Sequence, residues 1–392
     1  MTTSTSSFKN IHRCFRCGYC KFPINWIDVN NCPSYGRFRI ESYSCGGRLW
    51  LIRAWINGWI DVSNHFSEIV YSCVVCKNCE VKCPFSFNTQ IVDMVISARK
   101  KLVELGKIPE RAKRFLTNVN LYKNPYGIKN KKRTEWIKDL DVPRFNGQEY
   151  LFYIGCTGSF DPTAQDMTRN ITKIFLNAGL SFGILGEEEI CDGNEVLMLG
   201  EDGLFEELAL ENIKFFKSKK VKKIITLSPH AYNAFKNYYP LFGGDFEVFH
   251  YTHIILELIE KEKIKLKNPF PKRITYHDPC FLGRWNKEYK TPRKILKKIP
   301  GAEILEMTRS KEGSLCCGGG GGNFYMDLLG GSPESPSRIR IREAKEIKSE
   351  IIAVACPKCL IMLKDAVVSE GLEKEIEVLD ISQIIENCVN FL

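Results

Sequence analysis

Five cysteines in the last third of the chain constrain its fold more than any other feature. They come from three well-separated segments, and the middle segment holds two adjacent cysteines followed by the glycine run Gly318 to Gly322. The five are Cys280, Cys316, Cys317, Cys356 and Cys359. A tetrahedral zinc site uses four ligands and does not take two adjacent cysteines without awkward backbone geometry. Five thiolates suit an iron–sulfur cluster; the alternative is a set of buried cysteines acting as small apolar side chains.

Cysteine usage and charge also bound the context of the protein. The chain has 17 cysteines in 392 residues, and most lie in tight spacings that favour metal binding over disulfide pairing. Such usage indicates a reducing compartment. No apolar leader and no apolar run of spanning length is visible, so we expect a cytoplasmic protein, or one peripheral on the inner face of the membrane. The net charge of +10 comes from basic runs without interleaved aromatics, so we expect no nucleic-acid partner.

Two cysteine runs in the first 145 residues predict a ferredoxin-like domain. The second run follows the pattern C-x2-C-x2-C-x3-C-P, in which three thiolates reach one cube and the cysteine before proline reaches the other. In the first run the cysteine before proline comes late, after a spacer. Zinc sites use two-plus-two spacing rather than two triples. We therefore predict two cubane [4Fe–4S] clusters, one held by Cys14, Cys17, Cys20 and Cys83 and the other by Cys73, Cys76, Cys79 and Cys32, with Cys45 as a non-ligand.

Apolar periodicity divides the chain into a helical part and an α/β part. Helical patterns cover Arg48 to Ile60 and Thr89 to Leu105, and the weakly periodic stretch from Tyr122 to Pro143 is expected to be a linker. After it, apolar runs alternate with helical patterns, which predicts α/β units with mainly parallel strands. The runs are Tyr150 to Ile154, Val196 to Leu199, Lys223 to Leu227, Ile274 to Tyr276, Ile304 to Met307 and Ile351 to Ala355.

The α/β part contains an internal repeat. Three segments of the earlier half correspond to the three cysteine segments of the later half at nearly constant offsets. The pairs are Cys156 with Cys280, Cys191 with Cys316 and Ser228 with Cys356, at offsets of 124, 125 and 128. We therefore expect two similar subdomains that face each other across a cleft.

The earlier half lacks three of the five cysteines, because Asp192, Ser228 and Ala231 stand at those positions. Two thiolates do not hold a multinuclear cluster of the same kind, so we expect this half to have lost its cluster and kept its fold. A single zinc or iron ion is the open alternative, because the ligand types would suit it. Its ligands would be Cys156, Cys191, Asp192 and His230.

Taken together, these motifs resemble those of the iron–sulfur oxidoreductases related to the catalytic, D-type component of heterodisulfide reductase, which are built on CCG domains. The chain is similar too to iron–sulfur subunits of glycolate oxidase, lactate utilisation and anaerobic glycerol-3-phosphate dehydrogenase. The resemblance implies an α+β multidomain fold, with a mostly helical two-cluster ferredoxin-like domain followed by two pseudo-repeated α/β CCG subdomains. The expected ranges are 1–145, 146–268 for the degenerate subdomain and 269–392 for the intact one. The resemblance also implies that the five cysteines hold one noncubane [4Fe–4S] cluster.

The function implied by the resemblance is that of an iron–sulfur oxidoreductase acting as a subunit of a complex. Electrons would pass from a flavoprotein dehydrogenase or an electron-transfer flavoprotein through two cubane clusters to the noncubane centre, and on to a quinone or disulfide acceptor. The expected catalytic residues are Cys316, Cys317 and His277, the last as a proton donor. The broken first motif departs from members that split a disulfide between two noncubane clusters.

Three alternatives to this function stay open. The chain is a non-catalytic relay or docking subunit that links a dehydrogenase to a membrane cytochrome b-type or quinone-reactive anchor, or it is a disulfide reductase proper. A zinc-stabilised interaction protein is the third alternative, and iron content separates it from the other two.

Overall fold

The N-terminal part of the protein is helical. In the computed structural model, which describes residues 5–22 and 30–389, six α-helices precede the first strand. They are α1 (Pro33–Phe38), α2 (Cys45–Ile56), α3 (Asn64–Tyr71), α4 (Asn78–Lys82), α5 (Ile91–Glu104) and α6 (Glu110–Tyr122). Ser44 begins α2 as an N-cap, because its hydroxyl accepts from the Gly47 N–H at 3.0 Å. The two helical patterns of the sequence correspond to α2 and α5. Most of the spacer in the first cysteine run, and the first four residues of the sequence, lie outside the described residues.

Each half of the α/β part alternates strands with helices. The earlier half contains β1 (Tyr150–Tyr153), α7 (Gly155–Phe160), α8 (Pro162–Asn177), β2 (Phe182–Gly183), α9 (Asn194–Met198), α10 (Asp202–Ser218), β3 (Lys223–Thr226), α11 (Pro229–Asn237), β4 (Glu247–His250) and α12 (Tyr251–Glu260). The later half contains β5 (Arg273–Tyr276), α13 (Lys290–Leu296), β6 (Glu303–Leu305), α14 (Asn323–Met326), α15 (Pro336–Glu346), β7 (Ile351–Val354), α16 (Pro357–Glu370), β8 (Glu377–Asp380) and α17 (Ile381–Cys388).

The two halves have the same sheet topology. Their strand orders are β2-β1-β3-β4 and β6-β5-β7-β8, and every neighbouring pair is parallel. Equivalent central strands pair in each sheet, with Tyr150 opposite Lys223 and Ile274 opposite Ile351. Parallel neighbours require crossover connections, which the intervening helices provide. The predicted internal repeat and the α+β multidomain fold are therefore confirmed.

One predicted strand is wrong. Val196 to Leu199 forms the end of helix α9 and its C-terminal cap. All four side chains of this run are buried, so the run has no polar positions whose period would separate a strand from a helix. Gly193 and Gly200 flank the segment with φ values of 79° and 93°, which confine it to a short helix between two left-handed turns. The strand at the β1 edge of this sheet is instead β2. It has two residues, too few to give a sequence pattern.

The stretch predicted as a linker, Tyr122 to Pro143, is a cover segment that packs against the earlier half. Trp136 and Arg133 in this stretch are each 1% exposed. The Trp136 carbonyl oxygen accepts a hydrogen bond at 2.8 Å from the Arg169 guanidinium on α8. The segment therefore joins the ferredoxin-like part to the earlier half through buried contacts. The exposed lysines of this stretch hide the role in the sequence; they are Lys129, Lys131, Lys132 and Lys138.

The two α/β halves pack against each other. Helix α8 of the earlier half lies against α16 and α17 of the later half, and α12 lies against α13. Across this interface the Tyr251 hydroxyl donates to Asp380 at 2.6 Å. In the ranges that the structure describes, no helix combines the length and the apolar character needed to span a bilayer.

Candidate metal centres

Four cysteines of the two ferredoxin-like runs surround one pocket. Cys14, Cys17 and Cys20 reach it from the first run, and Cys83 reaches it from the end of the second run. The pocket has about 360 Å³ of space not filled by protein atoms, part of it open to solvent. Cys17 is exposed at its mouth. The structure thus brings together the first predicted set, and its role in holding a cluster stays a prediction.

The second predicted set surrounds a neighbouring pocket of about 340 Å³. Cys32 enters it from the N-cap position of α1, and Cys73, Cys76 and Cys79 come from the loop after α3 and the start of α4. Burial raises the pKa of the Cys32 thiol to about 12. This thiol therefore stays protonated until a metal displaces the proton, which is the usual coupling of thiolate ligation to proton release.

Cys45, which the spacing excludes from both runs, lies between the two sets. It lines both pockets. Its thiol hydrogen bonds with Cys20 of the first set and with Cys79 of the second, and these contacts together with burial raise its pKa well above the usual thiol value. Cys45 is therefore a protonated thiol within hydrogen-bond reach of a sulfur atom on each side, and it links the two predicted ligand sets through one side chain.

The five cysteines of the later half meet beyond the carboxyl ends of β5, β6 and β7, the edge at which parallel α/β sheets bind ligands. All five are buried. The Sγ of Cys316 lies 3.7 Å from that of Cys280, and the Sγ of Cys317 lies 3.4 Å from that of Cys359. Cys356 holds the N-cap position of α16. Hydrogen bonds from the Cys316 and Cys359 thiols lower the pKa of Cys317 well below its usual value and raise the pKa of the two donors, so Cys317 favours the thiolate form.

His277 and Asp278 lie beside this set in different roles. One ring nitrogen of His277 and the sulfurs of Cys317 and Cys359 all lie within 4.8 Å of one another. Neither ring nitrogen hydrogen bonds to an oxygen or nitrogen atom of the described residues. Asp278 is instead paired with the Arg293 guanidinium at 2.6 and 2.9 Å. Asp278 therefore orients the loop, whereas His277 faces the cysteines.

The five-cysteine site adjoins the second ferredoxin pocket. The Cys76 thiol, which belongs to that pocket, hydrogen bonds to the Cys316 sulfur. Arg284 is buried at this junction and donates to the Cys76 carbonyl at 2.5 Å and to the Ser314 carbonyl at 2.7 Å. Sequence reasoning missed Arg284, and its place four residues after Cys280 is the one signal that points to it.

The glycine run accounts for the closeness of these two sites. A Cβ on Gly320 would lie 2.7 Å from the Val74 carbonyl oxygen, and one on Gly321 would lie 2.9 Å from that of Cys73. Gly321 and Gly322 also have φ values of 59° and 80°. The run is therefore a close seat for the backbone of the ferredoxin cysteine loop.

Replacing Gly320 with alanine is expected to loosen metal binding at the second ferredoxin pocket. The added methyl group meets a backbone oxygen, and such overpacking costs about 1–3 kcal/mol, which the cysteine loop relieves by moving. The measurement is the iron retained after timed exposure to an iron chelator. Gly313→Ala is the matched control, since its Cβ meets nothing closer than the flexible Lys82 amine at 3.8 Å. Equal iron loss from the two variants would contradict the seat.

The earlier half repeats the local geometry of the later half with fewer thiols. The Gly193 N–H donates to the Cys191 sulfur at 3.4 Å, and the Gly318 N–H donates to the Cys316 sulfur at the same distance. Both glycines are left-handed, with φ values of 79° and 95°. The turn that presents the cysteines has therefore survived in a half that lacks three of them.

The four residues considered for a single zinc or iron ion all line one pocket, but no three of their ligand atoms lie within 4.8 Å of one another. Among the described residues, the one group of three histidine, cysteine or acidic ligand atoms that all lie within 4.8 Å of one another is that of His277. In the earlier half, Asp192 accepts from the Asn194 N–H at 2.8 Å, and the His230 ring pairs with Glu195 at 3.2 Å. A single ion at these four residues therefore stays a prediction.

A pocket lies between the two halves, at the predicted cleft. It has about 410 Å³ of space outside protein atoms, part of it open to solvent. Its polar lining includes Cys156, Cys191, Glu195, His230, Tyr325 and Lys358. Glu195 pairs with His230 at 3.2 Å and with Lys358 at 3.0 Å. Burial raises the pKa of Glu195, but the charges of Lys358 and His230 outweigh it and the net pKa lies below the usual value.

Sequence reasoning missed Glu195 and Lys358, although the repeat contained a signal. Lys358 is 128 residues after His230, the same offset that separates Ser228 from Cys356. The two repeat-equivalent side chains therefore reach the same carboxylate from opposite halves.

Comparison with known proteins identifies the family. Residues 10–87 match the 4Fe-4S dicluster domain, and residues 150–236 and 274–364 match the cysteine-rich domain CCG. The D component of the dihydromethanophenazine:CoB–CoM heterodisulfide reductase of Methanosarcina barkeri is 31% identical over 399 residues, which cover 95% of this chain and 92% of that protein. The chain belongs to the CCG-domain iron–sulfur oxidoreductases. The resemblance read from the motifs is confirmed.

Other members of the CCG-domain family are longer. The probable iron–sulfur-binding oxidoreductase FadF of Bacillus subtilis is 38% identical over 336 residues, 82% of this chain and 47% of that protein. The EtfAB:quinone oxidoreductase of Syntrophomonas wolfei is 34% identical over 332 residues, 81% of this chain and 46% of that protein. This chain therefore spans about half the length of these two relatives.

The cysteine sites of this CCG-domain protein fit iron–sulfur clusters. The dicluster match, residues 10–87, covers every cysteine of the two predicted ferredoxin sets. The later site gathers five buried thiols beside His277, whose ring nitrogens lack oxygen or nitrogen partners among the described atoms. Such a sulfur-rich set exceeds the four ligands of zinc and suits iron.

Proposed function

We propose that this chain relays electrons from a flavoprotein donor through two cubane clusters to a noncubane [4Fe–4S] centre, and on to a quinone or disulfide acceptor. The donor would be a flavoprotein dehydrogenase or an electron-transfer flavoprotein. Bound at the three cysteine sites, the clusters would supply one-electron carriers. The five cysteines of the later half would hold the noncubane centre.

The observation that carries this proposal is the unbroken order of sulfur contacts across the three sites. Cys20 and Cys79, from different ferredoxin sets, both hydrogen bond with Cys45. Cys76 then hydrogen bonds with Cys316 of the later half. One side-chain contact thus connects each site to the next. Electron transfer is fastest between carriers that are close together. A protein that used zinc only for structure would not require such contiguity.

The first ferredoxin pocket is the proposed point of electron entry. Cys17 is exposed there, and the flanking Phe15 and Tyr19 are 61% and 56% exposed. Arg16 stacks on the Trp50 ring with its guanidinium carbon 4.5 Å from the ring centroid. Aromatic and arginine side chains are enriched where proteins bind one another, whereas the five-cysteine site at the other end is buried. The contrast between the exposed first pocket and the buried five-cysteine site supports docking of the donor at the first pocket.

His277 is the proposed proton donor at the delivery end. Its ring lies against the Cys317 sulfur and has no oxygen or nitrogen partner among the described residues. A quinone or a disulfide takes up protons together with electrons, and a histidine beside the last carrier is suited to provide them. Asp278 does not share this role, because Arg293 neutralises it.

The names of two relatives support the acceptor class. One is a quinone oxidoreductase, and the other is part of a heterodisulfide reductase. The relatives that are about twice as long share only part of their length with this chain. A membrane cytochrome b-type or quinone-reactive anchor is therefore proposed as a partner and not as part of the described fold.

Anaerobic reoxidation of the purified full-length chain tests the proposal. The protein is expected to contain about 12 irons, ~4 per cluster. After chemical reduction it is mixed with a water-soluble quinone or with bis(2-hydroxyethyl) disulfide, and the visible absorbance of the clusters is followed. We expect one of the two acceptors to reoxidise the clusters, and the same reoxidation in a Cys388→Ser control.

Two results would overturn this function. Inertness toward both acceptors, combined with tight binding of a flavoprotein and a membrane partner, would favour a non-catalytic relay. A preparation with zinc and no iron would favour an interaction protein.

A further inference from the structure

Two thiols of the earlier half share the pocket between the halves. Cys156 lies in the first turn of α7, and Cys191 lies in the turn before α9. Both line the pocket, and each is 6% exposed. The Cys191 thiol donates a hydrogen bond to the Cys156 sulfur. Cys156 and Cys191 are the repeat equivalents of Cys280 and Cys316, whose Sγ atoms lie 3.7 Å apart, so the two turns can bring their thiols within the reach of a disulfide.

A buried arginine holds the Cys156 sulfur. The Arg133 Nη2 donates to the Cys156 Sγ at 3.1 Å, and its Nη1 pairs with Glu189 at 3.1 Å. Glu189 is fixed in turn by the N–H groups of Ile154 and Gly155 at 2.9 and 2.8 Å. A guanidinium beside a thiol favours the thiolate, which is the form that attacks disulfides. This arrangement comes from the packed cover segment that the sequence presented as a linker.

The environment of Cys156 differs from that of a space-filling cysteine. Burial raises the pKa of its thiol, but the hydrogen bond from Cys191 and the charge of Arg133 outweigh burial, and the net pKa lies below the usual thiol value. Cys388, by comparison, is buried without such partners, and burial raises its pKa to about 11. A cysteine kept only as a remnant of a lost cluster would resemble Cys388.

We propose that Cys156 and Cys191 form a redox-active dithiol pair that reacts with small disulfides by thiol–disulfide exchange. The Cys156 thiolate attacks one sulfur of the disulfide and displaces a thiolate, leaving a mixed disulfide on Cys156. Cys191 passes its proton to that thiolate, attacks the Cys156 sulfur and displaces the second thiolate. The cysteine pair loses two electrons and becomes a protein disulfide, and the small disulfide gains them and becomes one thiol and one thiolate, which takes its proton from solvent.

The position of the pair gives this chemistry a place in the molecule. Pro357 and Lys358, which lie between two of the five predicted cluster ligands, line the same pocket as Cys156 and Cys191. A two-electron thiol couple therefore stands beside the last site of the proposed relay, in the half that lacks a complete cysteine set. The exchange reaction itself needs no cluster, so it is tested separately from the relay.

Differential alkylation tests the pair in the full-length, cluster-containing protein. The protein is equilibrated anaerobically with mixtures of 2-mercaptoethanol and bis(2-hydroxyethyl) disulfide, quenched in acid, alkylated and digested with trypsin. Cleavage after Arg144 and Arg169 isolates Cys156, and cleavage after Lys173 and Lys214 isolates Cys191. We expect a disulfide between these two peptides that forms along a two-electron curve, while Cys388 stays alkylated throughout.

Three variants sharpen the result. In Cys191→Ser the reaction should stop at the mixed disulfide on Cys156, and in Cys156→Ser the Cys191 thiol should stay alkylated. Arg133→Gln should slow alkylation of Cys156 about tenfold, because less of it is thiolate. Iron content reports whether each variant has folded.

Two outcomes would overturn the dithiol pair. One is full alkylation of both cysteines in the most oxidising mixture. The other is loss of one zinc or iron equivalent from a Cys156→Ala, Cys191→Ala double variant, which would restore the metal-site alternative.

Discussion

Replacing Cys317 with alanine should remove one iron–sulfur centre and leave the other two in place. Cys317 is 4% exposed, and its sulfur lies 3.4 Å from that of Cys359. It lines neither ferredoxin pocket, and both pockets have their own complete sets of cysteines. We expect iron to fall from about 12 to about 8 per chain, at ~4 per cluster. The electron paramagnetic resonance signal of the noncubane centre should disappear while the cubane signals persist.

The matched control for this loss is Cys388→Ala. Cys388 is also fully buried, and its thiol donates to the Ile384 carbonyl within α17 at 3.2 Å. Truncating either cysteine removes one buried sulfur, but only Cys317 belongs to a predicted ligand set. The control should therefore keep its iron and all its signals. Undiminished iron in Cys317→Ala, or a parallel loss in the control, would show that the five cysteines hold no cluster of their own.

Ligand spacing made the cysteine sites readable in the sequence. Three cysteines with two residues between neighbours lie about one turn apart, so the ferredoxin sets follow from local geometry. The internal repeat was readable for a related reason, because equivalent turns such as those at Gly193 and Gly318 need the same left-handed glycine. These features are imposed within a few residues of the chain, where the sequence pattern is informative.

Contacts between distant segments were not readable in the same way. Arg284 binds the Cys76 backbone from 208 positions away, and nothing around either residue indicates the other. Arg133 lies in a lysine-rich stretch whose composition suggests a solvated linker. In the folded protein, however, its guanidinium donates a hydrogen bond to the Cys156 sulfur. The misread strand at residues 196–199 failed for a different reason, since full burial removes the alternation on which strand prediction depends.

The second large effect is expected at Arg99, which joins all three parts of the protein. Its guanidinium donates to the Met198 carbonyl at 2.7 Å and to the Gly321 carbonyl at 3.1 Å, in the earlier and later halves. It also donates to the carbonyls of Tyr71 at 3.0 Å and of Cys73 in the ferredoxin-like part. Arg99 is fully buried. No other donor in these contacts can replace it without moving backbone.

Arg99→Met should lower the free energy of unfolding by about 3–5 kcal/mol. Methionine keeps an apolar stem of similar reach but leaves the carbonyl oxygens buried without donors, and each such group costs about 1–3 kcal/mol. Because one of them belongs to the loop that carries Cys73, the second ferredoxin site should also lose iron faster than in the parent. Thermal unfolding at a fixed scan rate and timed chelation measure the two effects.

Two further variants separate the guanidinium from general perturbation of the region. Arg114→Met on α6 removes an exposed arginine and should leave both measurements unchanged. Arg99→Lys keeps the charge but replaces the planar fork of five donors by a point charge with three, so it cannot satisfy carbonyls on two sides at once. It should therefore be intermediate in stability. If Arg99→Met unfolded at the same temperature as Arg114→Met, the three parts would be held together by apolar packing alone, and the buried arginine would add nothing to their assembly.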